Sequence, residues 1–265
     1  FEISEYFVDG NYFDNLQLLS STGRESNLYL DLFTYNMPMC IKKYKSSFWY
    51  DCSNDEALKK MFLLQEKLAG FKNISPSIVF YDINEYKRGN KRLLAIGIPY
   101  LQNYISIDKI DDISSRFICI RNLLILLEKF ISLGIYPTDL NNSNIMVSSD
   151  LNVQLIDLDW NKCKVNSKTP GKYYRQIFNS IRYRILTDLM VNDEEYNAAH
   201  KYSSLNEGLR AILKQKGFNA DIINVVLESQ EESNLDILLK VLNEIEPFYV
   251  ETKDKSIFRY SRKHL

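Results

Sequence analysis

Read by the alternation of apolar and polar positions, the chain changes character near its hundredth residue. Leu28-Tyr-Leu-Asp-Leu-Phe-Thr-Tyr35 and Met39-Cys-Ile-Lys-Lys-Tyr44 are β-prone runs flanking a turn signal, Asn36-Met37-Pro38, and together they predict a hairpin. Residues 77–81 and 92–98 predict two more strands. One helix interrupts them. Ser53-x-x-Glu56 has the form of a capping box, followed by Leu58, Met61, Phe62, Leu64 and Leu68 on one broad face that also takes in Gln65.

After Tyr104 the period becomes helical. Residues 113–133 predict a long amphipathic helix closed by Gly134, its apolar run broken by Arg121, Asn122, Glu128 and Lys129. Two short β-prone runs follow, Asn144-Ile-Met-Val147 and Val153-Gln-Leu-Ile156. Helical patterns resume over 173–190, 205–216 (opened by a Ser204-x-x-Glu207 box), 221–228 and 234–245. A β-rich front and an α-rich back, joined near residues 99–104, predict two lobes with a cleft between them.

Composition narrows the function classes. The 33 Lys and Arg against 34 Asp and Glu leave a formal charge of −1, which argues against a basic nucleic-acid coat or a membrane-surface protein. Four cysteines lie far apart with no C-x-x-C, as expected for reduced thiols in a cytoplasmic protein. The two histidines, His200 and His264, are remote from every motif, so zinc hydrolysis and Ser-His-Asp chemistry lack their usual parts. No run of eighteen apolar residues predicts a transmembrane helix. The first residue is Phe1, so the chain reads as part of a longer or processed one, and a secreted or effector origin stays open beside the cytoplasmic one. The nine glycines are about half the usual share.

The strongest motif is Gly134-Ile-Tyr-Pro-Thr-Asp139-Leu-Asn-Asn-Ser-Asn144, followed by Leu155-Ile-Asp157-Leu-Asp159. A carboxylate suits the alignment of a hydroxyl nucleophile, and carboxylate and amide oxygens suit Mg²⁺. This arrangement resembles the protein-kinase-like superfamily, with its H-R-D-x-x-x-x-N loop and following D-F-G. The resemblance implies an α+β bilobal fold in one domain over 1–265. Residues 1–98 would be a small β-rich N-lobe with one helix, 99–104 a hinge, and 105–265 a larger helical C-lobe. It implies ATP with Mg²⁺ (or Mn²⁺), Asp139 as the base, and Asn144 and Asp157 as metal ligands. Asp159 would be a further carboxylate at the metal or a turn cap.

The amino-terminal half follows the same resemblance. Lys42 in Met39-Cys-Ile-Lys42 is similar to the phosphate-contacting lysine of V-A-I-K, and Lys43 would face the other way on a strand. Glu56 resembles the lysine's helical partner, its D-E-A setting similar to that of aminoglycoside phosphotransferases, with Glu66 as the rival. The phosphate loop aligns on Ser21, Gly23 and Ser26, so only its middle glycine remains. Ile98 would be the gatekeeper, and Pro99 and Leu101 would meet the adenine edge.

Three departures bear on function. Pro137-Thr138 replaces His-Arg, Asn141 replaces a lysine, and Asp159 replaces the D-F-G glycine. The compact spacing from hinge to Asp139 favours a protein Ser/Thr acceptor. The D-L-N and I-D-x-D details are similar to sugar and lipopolysaccharide-core kinases, which makes a sugar or glycolipid acceptor the alternative. The serine-substituted loop supports a further alternative, a pseudokinase used as a binding or scaffold module. Lys168–Arg175 is a basic turn-forming stretch, either facing an anionic acceptor or solvated.

Overall fold

The computed structural model describes residues 4–21, 23, 26–32, 34–45, 54–71, 78–158, 162–228 and 234–250. Two compact units emerge. The first comprises residues 1–103 with 156–165, the second residues 104–155 with 166–265.

The first unit is built on a six-stranded sheet. Strands β1 (Ser4–Val8), β2 (Gln17–Ser20), β3 (Ser26–Asp31), β4 (Met39–Tyr44), β5 (Ile78–Asp82) and β6 (Leu93–Pro99) lie in the order β1-β5-β6-β4-β3-β2. Among the described residues of this sheet, β1–β5 is the one parallel pair. The expected hairpin is β3–β4, with Leu28 opposite Lys42. Its first strand stops at Asp31 instead of running to Tyr35, because the Asp31 carboxylate accepts from the Thr34 amide at 2.9 Å and turns the chain. Neither β1 nor β2 was predicted. Both are edge strands with mostly exposed side chains, so neither shows a core-facing period.

Both faces of the sheet are covered. Tyr44, Val79, Tyr81, Leu93 and Ile96 pack with Met61 of helix α1 (Asn54–Leu68). Met39, Ile41, Ile78, Phe80 and Ala95 pack on the other face with Phe13, carried by a 3₁₀ turn over Gly10–Asn15. Strand β4 therefore divides its alternating side chains between two cores. In α1, Met61, Leu64 and Leu68 are buried, and so is Gln65, whereas Phe62 is exposed. The serine of the expected capping box, Ser53, lies outside the described residues. A second, short helix, α2 (Ile83–Lys87), was not predicted; Asp82 caps it.

The second unit is organised around one helix. It contains β7 (Ile105–Ser106), α3 (Ile113–Ser132), β8 (Ile135–Pro137), β9 (Ile145–Val147) and β10 (Val153–Leu155). Helices α4 (Pro170–Ile185), α5 (Asp193–Ala199), α6 (Leu205–Gln215), α7 (Ala220–Leu227), α8 (Leu235–Ile245) and α9 (Pro247–Val250) follow. Helix α3 buries Phe117, Ile120, Leu123, Leu124, Leu127 and Phe130 at helical spacing. Asp112 caps its start, and Gly134 leaves its end at φ +72°, as the sequence predicted. The β9–β10 hairpin is tied to α3, since Asn122 donates to the Leu151 carbonyl at 2.8 Å. Helix α4 begins three residues earlier than predicted, with Pro170 in its first turn, and ends in a π-helical turn over Leu186–Met190. Helix α5 was not predicted and starts with an Asn192–Glu195 capping box. Ser204 caps α6, while the Glu207 carboxylate meets the Ser203 hydroxyl. Helices α5 and α6 approach so closely that a Cβ at Gly208 would lie 2.3 Å from the Ala199 carbonyl oxygen. Among the described residues, no helix is long and apolar enough to cross a membrane.

Candidate functional site

In the first unit, β4 carries Lys42 between β3 and β6, opposite Leu28 and Ile96. Its side chain points to the α1 face and is 7% exposed. The Lys42 ammonium forms an ion pair with Asp157. Lys43 takes the opposite face, with Nζ 4.6 Å from the Phe13 ring centre, as strand alternation requires. Burial pushes the neighbouring Cys40 thiol up to about 11, with Lys42 drawing it back. Asp157 sits at φ +61°, the left-handed region, which costs a non-glycine residue about 1 kcal/mol or more. Such a conformation persists where the surroundings dictate it, and aspartate tolerates it better than most residues.

The other residues of this unit are placed as follows. Glu56 is exposed on α1 and pairs with Lys60 one turn on. Glu66 is exposed too. Ser21 and Gly23 lie in the β2–β3 turn, whereas Ser26 is buried and already opens β3. Lys45, past the end of β4, donates to the Ser21 carbonyl at 3.2 Å and the Gly23 carbonyl at 2.5 Å. A Cβ on Gly23 would lie 2.7 Å from the Ser26 carbonyl oxygen, so this turn needs its glycine. Ile98 and Pro99 close β6 opposite Cys40 and Met39. Tyr100 then donates to the Pro38 carbonyl at 2.9 Å, and the next amide, that of Leu101, has no protein partner among the described residues. Asp159 lies outside the described residues.

In the second unit, the loop after β8 is held by its own asparagines. Asn141 donates to the Asp139 carboxylate at 2.9 Å and accepts from the Asn144 amide at 3.1 Å. Asn144 is 8% exposed and donates from Nδ2 to the Asp139 carbonyl at 3.1 Å. That bond leaves its Oδ1 as the available acceptor. Helix α4 grips the loop from below: Gln176 donates to the Thr138 carbonyl at 3.1 Å. Arg184, 6% exposed, donates to the Leu140 carbonyl at 3.3 Å and the Asn142 side chain at 2.7 Å.

No protein-family model matches this chain, and no curated protein matches it. Among solved structures, an apo plant pseudokinase matches with a TM-score of 0.57 at 11% identity, covering 92% of this chain and 94% of that one. The fold is protein-kinase-like. At that identity the likeness concerns the fold alone. In this kinase-like fold the loop with Asp139 and Asn144 follows α3 and β8, and Asp157 follows the β9–β10 hairpin, the order that the motif spacing anticipated.

Three residues that hold these two loops escaped sequence reasoning. Arg184 and Gln176 sit on a later helix, and nothing in their local pattern ties them to residues 138–142. Lys45 reads as a strand-end surface lysine. Asn141 stands where the resemblance places a lysine, and an asparagine two residues after an aspartate is a recognisable local acceptor-donor. Among the described residues, no three His, Cys, Asp or Glu side chains form a metal cluster. Asp157 and Asn144 are single hard-oxygen donors, the type Mg²⁺ takes when nucleotide phosphates supply the rest.

Proposed function

We propose that this protein binds ATP with Mg²⁺ and transfers the γ-phosphate to a hydroxyl group. One observation carries the reading: the buried Lys42 is paired with an Asp157 held in a left-handed backbone conformation. A cation-binding carboxylate and a phosphate-binding ammonium, kept together at a strained residue, suit a group that exchanges cationic partners when a nucleotide arrives. Lys42 would contact the phosphates, Asp157 and Asn144 would supply oxygens to Mg²⁺, and Asp139 would accept the acceptor's proton. The Leu101 amide, without a protein partner among the described residues, and the Pro99 carbonyl would meet the adenine edge, under Ile98. Ser21, Gly23 and Ser26 would border the phosphates, and Glu56 would join Lys42 after rotating away from Lys60. Catalysis of this kind is positioning and charge neutralisation, for which the protein needs no covalent chemistry.

A second reading has specific support. Glu56 is paired with Lys60, the phosphate turn keeps one glycine, and the solved structure described above is of a pseudokinase. These favour a kinase-like binding module that transfers nothing.

Thermal-shift titration separates the two. Mg-ATP at a hundred times its Kd stabilises by about 2.7 kcal/mol if it binds the native state alone. The expected result is a magnesium-dependent rise in Tm that disappears in Asp157→Ala. Asp139→Asn should retain the shift and lose on the order of 10²-fold or more of phosphate transfer. A magnesium-dependent shift with no transfer to protein, peptide or saccharide would establish the binding module instead. No shift with any nucleotide would remove ATP from the account altogether.

A further inference from the structure

The second unit contains an open cavity of about 890 Å³ beside the Asp139 loop. Its volume falls in the range of small-molecule sites, roughly 300–1,000 Å³. One wall is the loop itself: Leu140, Asn141, Asn142 and Ser143 line it. Asn141 is the side chain that donates to the Asp139 carboxylate, so a ligand resting against Asn141 lies one side chain from the proposed base. The opposite wall is α4 and its π-helical turn, through Ser180, Tyr183, Arg184, Thr187 and Asp188.

The chemistry of the lining is that of an uncharged polar ligand. Two carboxylates, Asp108 and Asp188, are matched by two cations, Lys109 and Arg184. Arg184 and Asp188 neutralise each other at 3.1 Å, below the loop. What remains is hydroxyl and amide: Ser106, Ser143, Ser180 and Thr187, with Asn141 and Asn142. The four hydroxyls donate within the protein, Ser106 to the Asn142 carbonyl, Ser143 to Asn141, Ser180 to the Gln176 carbonyl and Thr187 to the Tyr183 carbonyl, and so offer lone pairs to the hydroxyls of a sugar, while the asparagine amides add N–H donors. Tyr183 adds a flat apolar ring, 53% exposed, on which the C–H face of a pyranose can rest. A basic peptide would require an excess of acid here, and a phosphorylated ligand an excess of base; the lining provides neither.

We propose that this cavity is the acceptor site and that its ligand is a neutral saccharide or similar compact polyol. The inference rests on the phosphotransferase reading above and narrows its acceptor. In the reaction, a saccharide oxygen forms a bond to the γ-phosphorus of ATP. The bond from that phosphorus to the bridging oxygen breaks and ADP leaves with the electron pair, while the hydroxyl proton passes to Asp139. Arg184 is a positioning residue: it holds Leu140 and Asn142 and so shapes the wall that the acceptor touches.

Saturation-transfer NMR on the 265-residue chain tests the site without requiring turnover. The probes are glucose, galactose, N-acetylglucosamine and sucrose, with Ser/Thr peptides in parallel, each with and without Mg-ATP. Saccharide signal is expected in the wild type, about tenfold weaker in Tyr183→Ala through loss of the ring. It should be strongly reduced in Ser180→Trp, which places an indole on the α4 wall of the cavity. Both variants should keep the wild-type Mg-ATP thermal shift, which also verifies that they fold. An intact nucleotide shift with no saccharide bound would overturn the proposal and leave the phosphotransferase reading standing. So would phosphorylation of a peptide at equal rates in the wild type and Ser180→Trp. Saccharide binding that follows the two variants, with no nucleotide shift in the wild type, would uphold the pocket and remove the phosphotransferase reading.

Discussion

A lysine ammonium buried in a β-sheet costs several kcal/mol unless an anion accompanies it, and at Lys42 the anion is Asp157. Truncating one partner of such a pair leaves the other ion partly desolvated. Asp157 is about a quarter exposed, so the penalty is smaller than the 3–5 kcal/mol typical of fully buried pairs. Asp157→Ala should cost about 2 kcal/mol in urea unfolding of the nucleotide-free protein. Lys42→Met should behave similarly, and the double variant should lose clearly less than the sum of the two. Simple additivity would show that the pair is not energetically coupled. That Lys42 and Lys43 take opposite faces of β4 was legible in the sequence, because side chains alternate along a strand. The partner of Lys42 was not: Asp157 is 115 positions away, and Glu56 had the better local credentials.

At the scale of elements, α3 shows what polar interruptions in an apolar helix are for. Arg121 donates to Glu246, at the end of α8, at 2.7 Å and to Asn243 at 2.9 Å, while Asn122 secures the β9–β10 hairpin. The Arg121 guanidinium holds the Glu246 carboxyl below its usual range, although partial burial acts in the opposite direction. A depressed carboxylate pKa contributes stability that is present above the unfolded-state value, about 4.3, and is lost as pH falls through the lower folded-state value. Glu246→Gln should therefore be less stable than the wild type at pH 7, and the difference should close as pH falls below about 4. Paired urea titrations at pH 7 and pH 3 measure it; an equal gap at both pH values would contradict the assignment. The longer helices are plain from periodicity, whereas the short α2 and α5 are not. Helix endings depend on caps: those at Gly134 and Ser204 are legible in the sequence, the Asn192–Glu195 box less so.

At the scale of the whole molecule, near-balance of charge has a practical consequence. With a formal charge of −1 and a pI near 6.2, the protein carries little net repulsion at slightly acid pH. Solubility should pass through a minimum near pH 6 and recover on either side, as turbidity or light scattering across pH 5–8 would show. A monotonic profile would mean that local patches, not net charge, govern association. The likeness to a plant pseudokinase spans 92% of the chain at 11% identity. A fold can be shared at so low an identity because burial pattern and element order, more than residue identity, specify a core.

By itself the sequence determined the β-rich front and helical back, the hairpin carrying Lys42, the long helix before Asp139, and the spacing Asp139–Asn144–Asp157. These follow from local physics: alternation, helical period, caps and short-range turns act over a few residues and leave their mark in order. Only the tertiary structure decided the rest. The parallel β1–β5 pairing, the Lys42–Asp157 ion pair, the Arg184 grip on the Asp139 loop and the cavity between that loop and α4 all join residues far apart in the chain. Hydrophobic burial brings such residues together without regard to what else they carry, and no local pattern records which distant polar groups will meet.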